Sequence, residues 1–276
     1  MLDYTLCNEL LAAEGLGLTE QAHIARKLGY AGLEIAPGTL GPEPHLLGAE
    51  DARRIRETVA AEGIGITGLH WLLVPYPEAS ITEPAARGET QDILIGLVDL
   101  CAQLGGRVCV HGSPKQRQRA DGMSDAMLMD YLAEFFAPIA SHAEAQGVTY
   151  CIEPLSTAET DVITTVLQGA ELVRAVGSPA FRTMIDISAA GQVEPPVADL
   201  IRDWVPSGLL GHIHANDSNR GAPGMGDDPF HQIVAAIRET GWAHPVGIEP
   251  FRTLIDAKVT SATAIATLRA CERATA

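Results

Sequence analysis

Four runs in the second half of the chain end on residues able to ligate a metal: Tyr150-Cys151-Ile152-Glu153, Thr183-Met184-Ile185-Asp186, Gly211-His212-Ile213-His214 and Val246-Gly247-Ile248-Glu249. From Glu153 to Asp186, on to His214 and on to Glu249, the steps are 33, 28 and 35 residues, each long enough for one strand, one helix and their loops. Three carboxylates and an imidazole make a hard, mostly oxygen donor set, suited to Mn²⁺ first and to Mg²⁺ or Co²⁺ next. Without a cation such carboxylates would repel, and at least one would keep its proton. One divalent ion would polarise a substrate carbonyl while a neighbouring carboxylate takes a proton from the adjacent carbon. Taken singly, each acid could instead pair with Arg182, Arg220 or Arg252, or cap the next helix; four at consecutive strand ends are hard to explain by packing. His212 and His214 are expected to face opposite sides of their strand, so that one imidazole joins the site, and parity leaves the choice open.

Residues at such intervals need parallel strands to bring them together. Short β-rich runs alternate with stretches of helical period along the whole chain, the pattern of βα units. Eight strands are expected near 3–7, 31–36, 64–70, 107–111, 148–153, 181–186, 209–214 and 245–250. The prediction is an α/β fold, a (β/α)8 TIM barrel, with residues 1–276 as a single domain. Helix signals support it: Thr19 offers a capping hydroxyl ahead of Ile24, Ala25 and Leu28, and Gly29 stops that helix. Ser124 opens another, with Met127, Leu128, Tyr131, Leu132, Phe135, Phe136 and Ile139 at helical spacing before Gly147. The longest loops after strands, near 71–85, 111–122 and 216–229, fall on the face that carries the four ligand candidates, where such barrels build their active sites.

Composition narrows the partners. With 35 acidic residues against 19 Lys and Arg, the formal net charge is −16, which repels a polyanion and counts against nucleic acid. The hydrophobic fraction of 46% fits a packed globule, and no apolar run approaches a membrane span. The N-terminal run reads as a strand rather than a secretory signal, so the cytoplasm is the expected compartment. Five widely spaced cysteines, Cys7, Cys101, Cys109, Cys151 and Cys271, read as free buried thiols.

Further polar residues end other strands: Glu34 the second, His70 the third and His111 the fourth. Each is a candidate for the pocket wall and substrate contact, set against a plain structural role in satisfying loop backbone. Trp71, Leu72 and Leu73, with Tyr76, could wall or cover a sugar-sized ligand or simply pack a long loop. The basic run from Lys115 to Arg119 could grip a phosphate; otherwise it is a solvated loop.

In the segments Cys151-Ile152-Glu153-Pro154-Leu155 with Glu159, and His212-Ile213-His214 with Asn219-Arg220 and Pro223-Gly224-Met225-Gly226, the chain resembles the xylose isomerase-like TIM-barrel superfamily. Within it, the nearest likeness is to ketose 3-epimerases of the tagatose and psicose (allulose) type. The resemblance selects His214, six residues before Arg220, as the metal ligand beside Glu153, Asp186 and Glu249. It implies that Glu153 and Glu249 also serve as the acid/base pair, and that Glu159 and Arg220 contact substrate or orient a catalytic Glu. It implies one divalent metal ion, a small sugar substrate and a dimer or tetramer. The chain departs from the pattern after Asp186, where Ala189 stands in place of the usual substrate-binding His. Another group must then serve the sugar, and a metal-dependent dehydratase or lyase becomes the main alternative to an isomerase or epimerase. A non-catalytic sugar-binding barrel would not need all four ligands with Glu159 and Arg220. An apurinic endonuclease would need a His at 189 and an Asp-x-His pair after the seventh strand, and both are lacking.

Overall fold

The computed structural model describes residues 1–274 apart from positions 121 and 195. Eight parallel strands follow one another around a closed barrel: β1 (Tyr4–Cys7), β2 (Gly32–Ile35), β3 (Gly65–Leu69), β4 (Val108–His111), β5 (Thr149–Ile152), β6 (Phe181–Asp186), β7 (Leu210–Ala215) and β8 (Val246–Ile248), with β8 pairing back onto β1. This is the predicted (β/α)8 barrel, seven strands lying within their expected spans and β7 running one residue past its own, to Ala215. In chain order the helices are α1 (Glu9–Ala13), α2 (Leu18–Leu28), α3 (Ala49–Ala60), α4 (Arg87–Leu104), α5 (Asp125–Gln146), α6 (Val166–Val176), α7 (Ile187–Val193), α8 (Val197–Trp204), α9 (Phe230–Glu239) and α10 (Ala257–Ala274). No helix among the described residues is long and apolar enough to cross a membrane.

The punctuation read from the sequence mostly holds. Ser124 caps α5 by accepting from the Met127 amide at 3.3 Å, and Gly29 and Gly147 end α2 and α5 in the left-handed conformation that glycine adopts freely. Thr19 is different. The helix α2 starts one residue earlier, at Leu18, with Gly17 as its cap, and Glu20 reaches back to accept from the Gly17 amide at 3.1 Å. The carboxylate of the first turn therefore satisfies the amide of the cap residue itself, and the Thr19 hydroxyl is not the cap.

Two irregularities in pairing decide what enters the barrel. Against β3, the register of β2 slips between Leu33 and Glu34; against β7, the register of β6 slips between Thr183 and Met184. Bulges of this kind re-aim the side chains beyond them. After the second slip, Met184 stands opposite His212 and Asp186 opposite His214. All five cysteines are free, as expected, and four are buried.

Candidate active site and metal centre

The four ligand candidates converge at the C-terminal mouth of the barrel. Glu153 follows β5, Asp186 ends β6, His214 lies near the end of β7 and Glu249 follows β8. One ligand atom from each lies within 4.8 Å of the others, and all four residues are buried. Room for them comes from missing side chains on neighbouring strands: a Cβ at Gly247 would fall 2.6 Å from His214 Cδ2, and one at Gly112 would collide with the Glu153 carboxylate.

Asp186 is held from two sides. Its Oδ1 accepts from the Ala189 amide at 2.7 Å and so caps α7, while its Oδ2 accepts from the Asn216 side chain at 2.7 Å. Asn216 also donates to the Glu249 carbonyl at 3.1 Å and accepts from the Ser188 amide at 2.8 Å. One buried amide thus ties the ends of β6, β7 and β8 together. Asp186 does cap a helix, one of the bland roles weighed for it, and does so inside the cluster. The arginines weighed as structural partners stay away from the four: Arg220 pairs with Glu159, and Arg182 and Arg252 donate to backbone carbonyls.

The electrostatics are those of a site short of positive charge. Burial, then Glu249 and Asp186, push the Glu153 carboxyl well above the usual range. Burial and Glu249 push the Asp186 carboxyl up to about 7. Burial would lower the His214 imidazole, but Glu249 and Glu34 outweigh it and hold it well above its usual value. His214 Nδ1 and Glu249 Oε2 are 2.9 Å apart yet aligned for no hydrogen bond, and both atoms are buried without a partner. Two unpaired ligand atoms facing one point are the signature expected where a cation sits between them. The donor set of three carboxylates and one imidazole fits a divalent metal ion.

Beneath this cluster lies a second one. Glu34 accepts from His214 Nε2 at 2.9 Å through one oxygen and from His212 Nε2 at 3.0 Å through the other. Both imidazoles therefore face the barrel axis, and the expectation that they point to opposite sides is overturned. Residues two apart on a strand share a face, and Ile213 between them takes the other. With Nε2 engaged by Glu34, the Nδ1 of His214 is left to face Glu153 and Glu249, the arrangement by which a carboxylate orients a ligating histidine.

The remaining sequence candidates separate into two groups. Trp71, Glu159 and Arg220 line a cavity of about 420 Å³ together with Glu153 and Glu249. Arg220 donates to Glu159 at 2.6 Å and stacks its guanidinium 4.1 Å above the Phe251 ring, whose other neighbour, Trp71, lies nearly parallel with centroids 6.1 Å apart. Trp71, Ser113 and Arg220 all adopt positive φ, of 54°, 39° and 67°, so strained backbone collects around this cavity. Glu34, His70 and His111 are fully buried and absent from its lining. His70 Nε2 donates to the Glu9 carboxylate at 2.8 Å, and His111 Nδ1 meets the Tyr150 hydroxyl at 2.6 Å. Leu72 and Leu73 are buried in the core, and Tyr76 hydrogen-bonds His45.

Several residues of the site went unread in the sequence. Phe251, two positions after Glu249, had a signal in that proximity. Asn216 had one too, two positions after His214. Arg117 belonged to a basic run read as a phosphate grip or a solvated loop; it is instead fully buried, and its Nη2 donates to the Glu153 carbonyl at 2.7 Å. Burial pushes that guanidinium down to about 10, with Glu153 and Glu159 opposing the shift.

Curated enzymes match this chain in sequence. The D-psicose 3-epimerase of Agrobacterium fabrum is 37% identical over 113 residues, a match that takes in 41% of this chain and 38% of that enzyme's length. The D-psicose 3-epimerase of Ruminiclostridium cellulolyticum is 28% identical over 232 residues, 82% of this chain and 75% of that enzyme. A crystal structure of D-psicose 3-epimerase with D-tagatose from Clostridium cellulolyticum superposes with a TM-score of 0.83 over 99% of both chains at 20% identity, a likeness of fold. The xylose isomerase-like TIM-barrel model matches residues 22–271, nearly the whole barrel, and the chain belongs to that family.

Proposed function

We propose that the protein is a divalent-metal-dependent epimerase that inverts the carbon beside the carbonyl of a ketose or related polyhydroxy ketone, with Mn²⁺ as the working ion. The observation that carries this reading is the cluster of Glu153, Asp186, His214 and Glu249, two of whose carboxylates also line the cavity at the mouth. The names of the curated relatives, D-psicose and L-ribulose 3-epimerases, support the substrate class and the position of inversion. A divalent ion held by those four residues would supply the positive charge that acidifies the carbon beside the ketone.

The chain's own groups perform the proton transfers. One of Glu153 and Glu249 takes the proton from C3; the electron pair left behind delocalises onto the carbonyl oxygen, and the carbon becomes planar. The other glutamic acid gives a proton to the opposite face, which restores the ketone with inverted configuration. Glu159 and Arg220, locked to each other, present polar atoms to the sugar hydroxyls, and the Trp71 and Phe251 rings exclude water from one side. Lys115 and Gln116, from the loop after β4, also line the cavity and are the polar groups available to serve in the absence of a histidine at position 189.

The test is solvent exchange. Fructose, psicose, tagatose and ribulose are incubated with the Mn²⁺-loaded protein in D₂O, and the products are read by NMR and mass spectrometry. The expected result is the C3 epimer of at least one ketose, carrying one deuterium at C3 and no other change in mass. No exchange in any of them would sink the epimerase reading, and loss of water from the product would replace it with a dehydratase.

A further inference from the structure

Beside the cavity that holds Glu153 and Glu249 lies a larger one of about 860 Å³, walled by the loops after β1 and β2. Trp71 and Val74 line both, so the two cavities are neighbours that share those side chains. The catalytic cavity alone, at about 420 Å³, is already within the range that small ligands fill. The larger space is therefore surplus to a free ketose.

Its chemistry selects an occupant. Ala12, Ala13, Leu16, Leu40, Pro42 and Pro75 give it an apolar wall, and no Lys or Arg lines it, which disfavours a phosphate or carboxylate. Among its polar residues, Asn8 is already committed: it donates to Gln21 at 2.9 Å and to Thr39 at 3.0 Å, and accepts from the Ala36 amide at 2.8 Å. Glu9 is not. It is 7% exposed, one oxygen is engaged by His70 at 2.8 Å, and the other, Oε1, is buried with no partner at all. A buried acceptor left unpaired calls for a donor. A pyranose ring, with C–H faces and hydroxyl edges, matches an apolar wall with one unpaired carboxylate oxygen.

We infer that this groove is a subsite for a neutral glycosyl substituent, so that the preferred substrate is a ketose carrying a second sugar. The inference rests on the ketose-epimerase reading above for what occupies the first cavity. The occupancy of the second is decided separately, by binding.

Isothermal titration calorimetry on the Mn²⁺-loaded protein compares fructose with fructose glucosylated on O1 (trehalulose) and on O6 (isomaltulose). At least one disaccharide is expected to bind about tenfold or more tighter than fructose. Ala13, on the groove wall, is exposed, so Ala13→Trp fills the groove without disturbing the core; it should abolish the disaccharide's advantage and leave fructose affinity unchanged. Equal or weaker binding of both disaccharides overturns the subsite, and so does an advantage that survives Ala13→Trp. Deuterium exchange at C3 of fructose, measured on the same sample, bears on the catalytic reading alone.

Discussion

Glu34 and Glu153 are both buried carboxylates on the axis of one barrel, and their surroundings push them in opposite directions. Around Glu34, burial would raise the carboxyl, but His212 and His214 outweigh it and hold it well below the usual range. Around Glu153, burial is reinforced by Glu249 and Asp186, and the carboxyl is raised. Both are buried; neighbours decide the sign. The lower cluster is complete in itself, with each carboxylate oxygen matched to an imidazole nitrogen. The upper one has an excess of acceptors, strained backbone beside it and two unpaired atoms. The difference separates a support from a working site, and His214, which belongs to both, connects them.

The sharpest way to break the contrast is to remove an acid from the upper cluster. Glu249→Gln keeps the shape and deletes one proton carrier. Exchange at C3 should fall by about 10²–10⁴, while circular dichroism and the melting temperature show an intact barrel. A variant that still exchanges at the wild-type rate would remove Glu249 from the chemistry. A smaller effect is expected from the lower cluster. In Glu34→Gln one imidazole loses its acceptor, the orientation of His214 is no longer fixed, and Mn²⁺ affinity should drop about 10- to 100-fold by calorimetry. Undiminished affinity would mean that Glu34 merely fills the axis. Burying an unpaired donor should also cost about 1–3 kcal/mol of stability, read by urea unfolding.

These two clusters were not equally legible in the sequence. The upper one was readable because it depends on strand ends, and strand ends recur at a period that the apolar runs reveal. Glu153, Asp186 and Glu249 each close such a run. The lower one depends on register. Glu34 meets His212 and His214 after a slip in β2 and another between β6 and β7, and neither bulge has a mark that a strand pattern registers. Arg117 was hidden for a different reason: four residues after Ser113 are wound into a short 3₁₀ turn, Pro114–Arg117, whose last member is rolled inward to the Glu153 carbonyl while Lys115 stays exposed. The resemblance that carried Glu159 and Arg220 was local and proved to concern two residues that do meet, 61 positions apart.

The mildest test of the contrast is pH. Asp186, with Glu153, Glu249 and His214 facing it, has its carboxyl raised to about 7, against about 3.9 for an aspartate in an unfolded chain. A carboxyl raised on folding binds its proton more tightly in the native state, so its contribution to stability is full below about pH 4 and is lost as pH climbs through 7. Glu153 and His214, both raised, act in the same direction. Glu34, lowered, acts in the opposite one, but its contribution is lost only in acid, well below 4.5. After chelation, the protein should therefore melt at a lower temperature at pH 8 than at pH 5. Protons compete with a cation for the same carboxylates, so saturating Mn²⁺ should reverse the slope, and the gap between loaded and chelated melting temperatures should widen from pH 5 to pH 8. A gap that is constant across that window would mean that the upper carboxylates are not the groups that bind the ion.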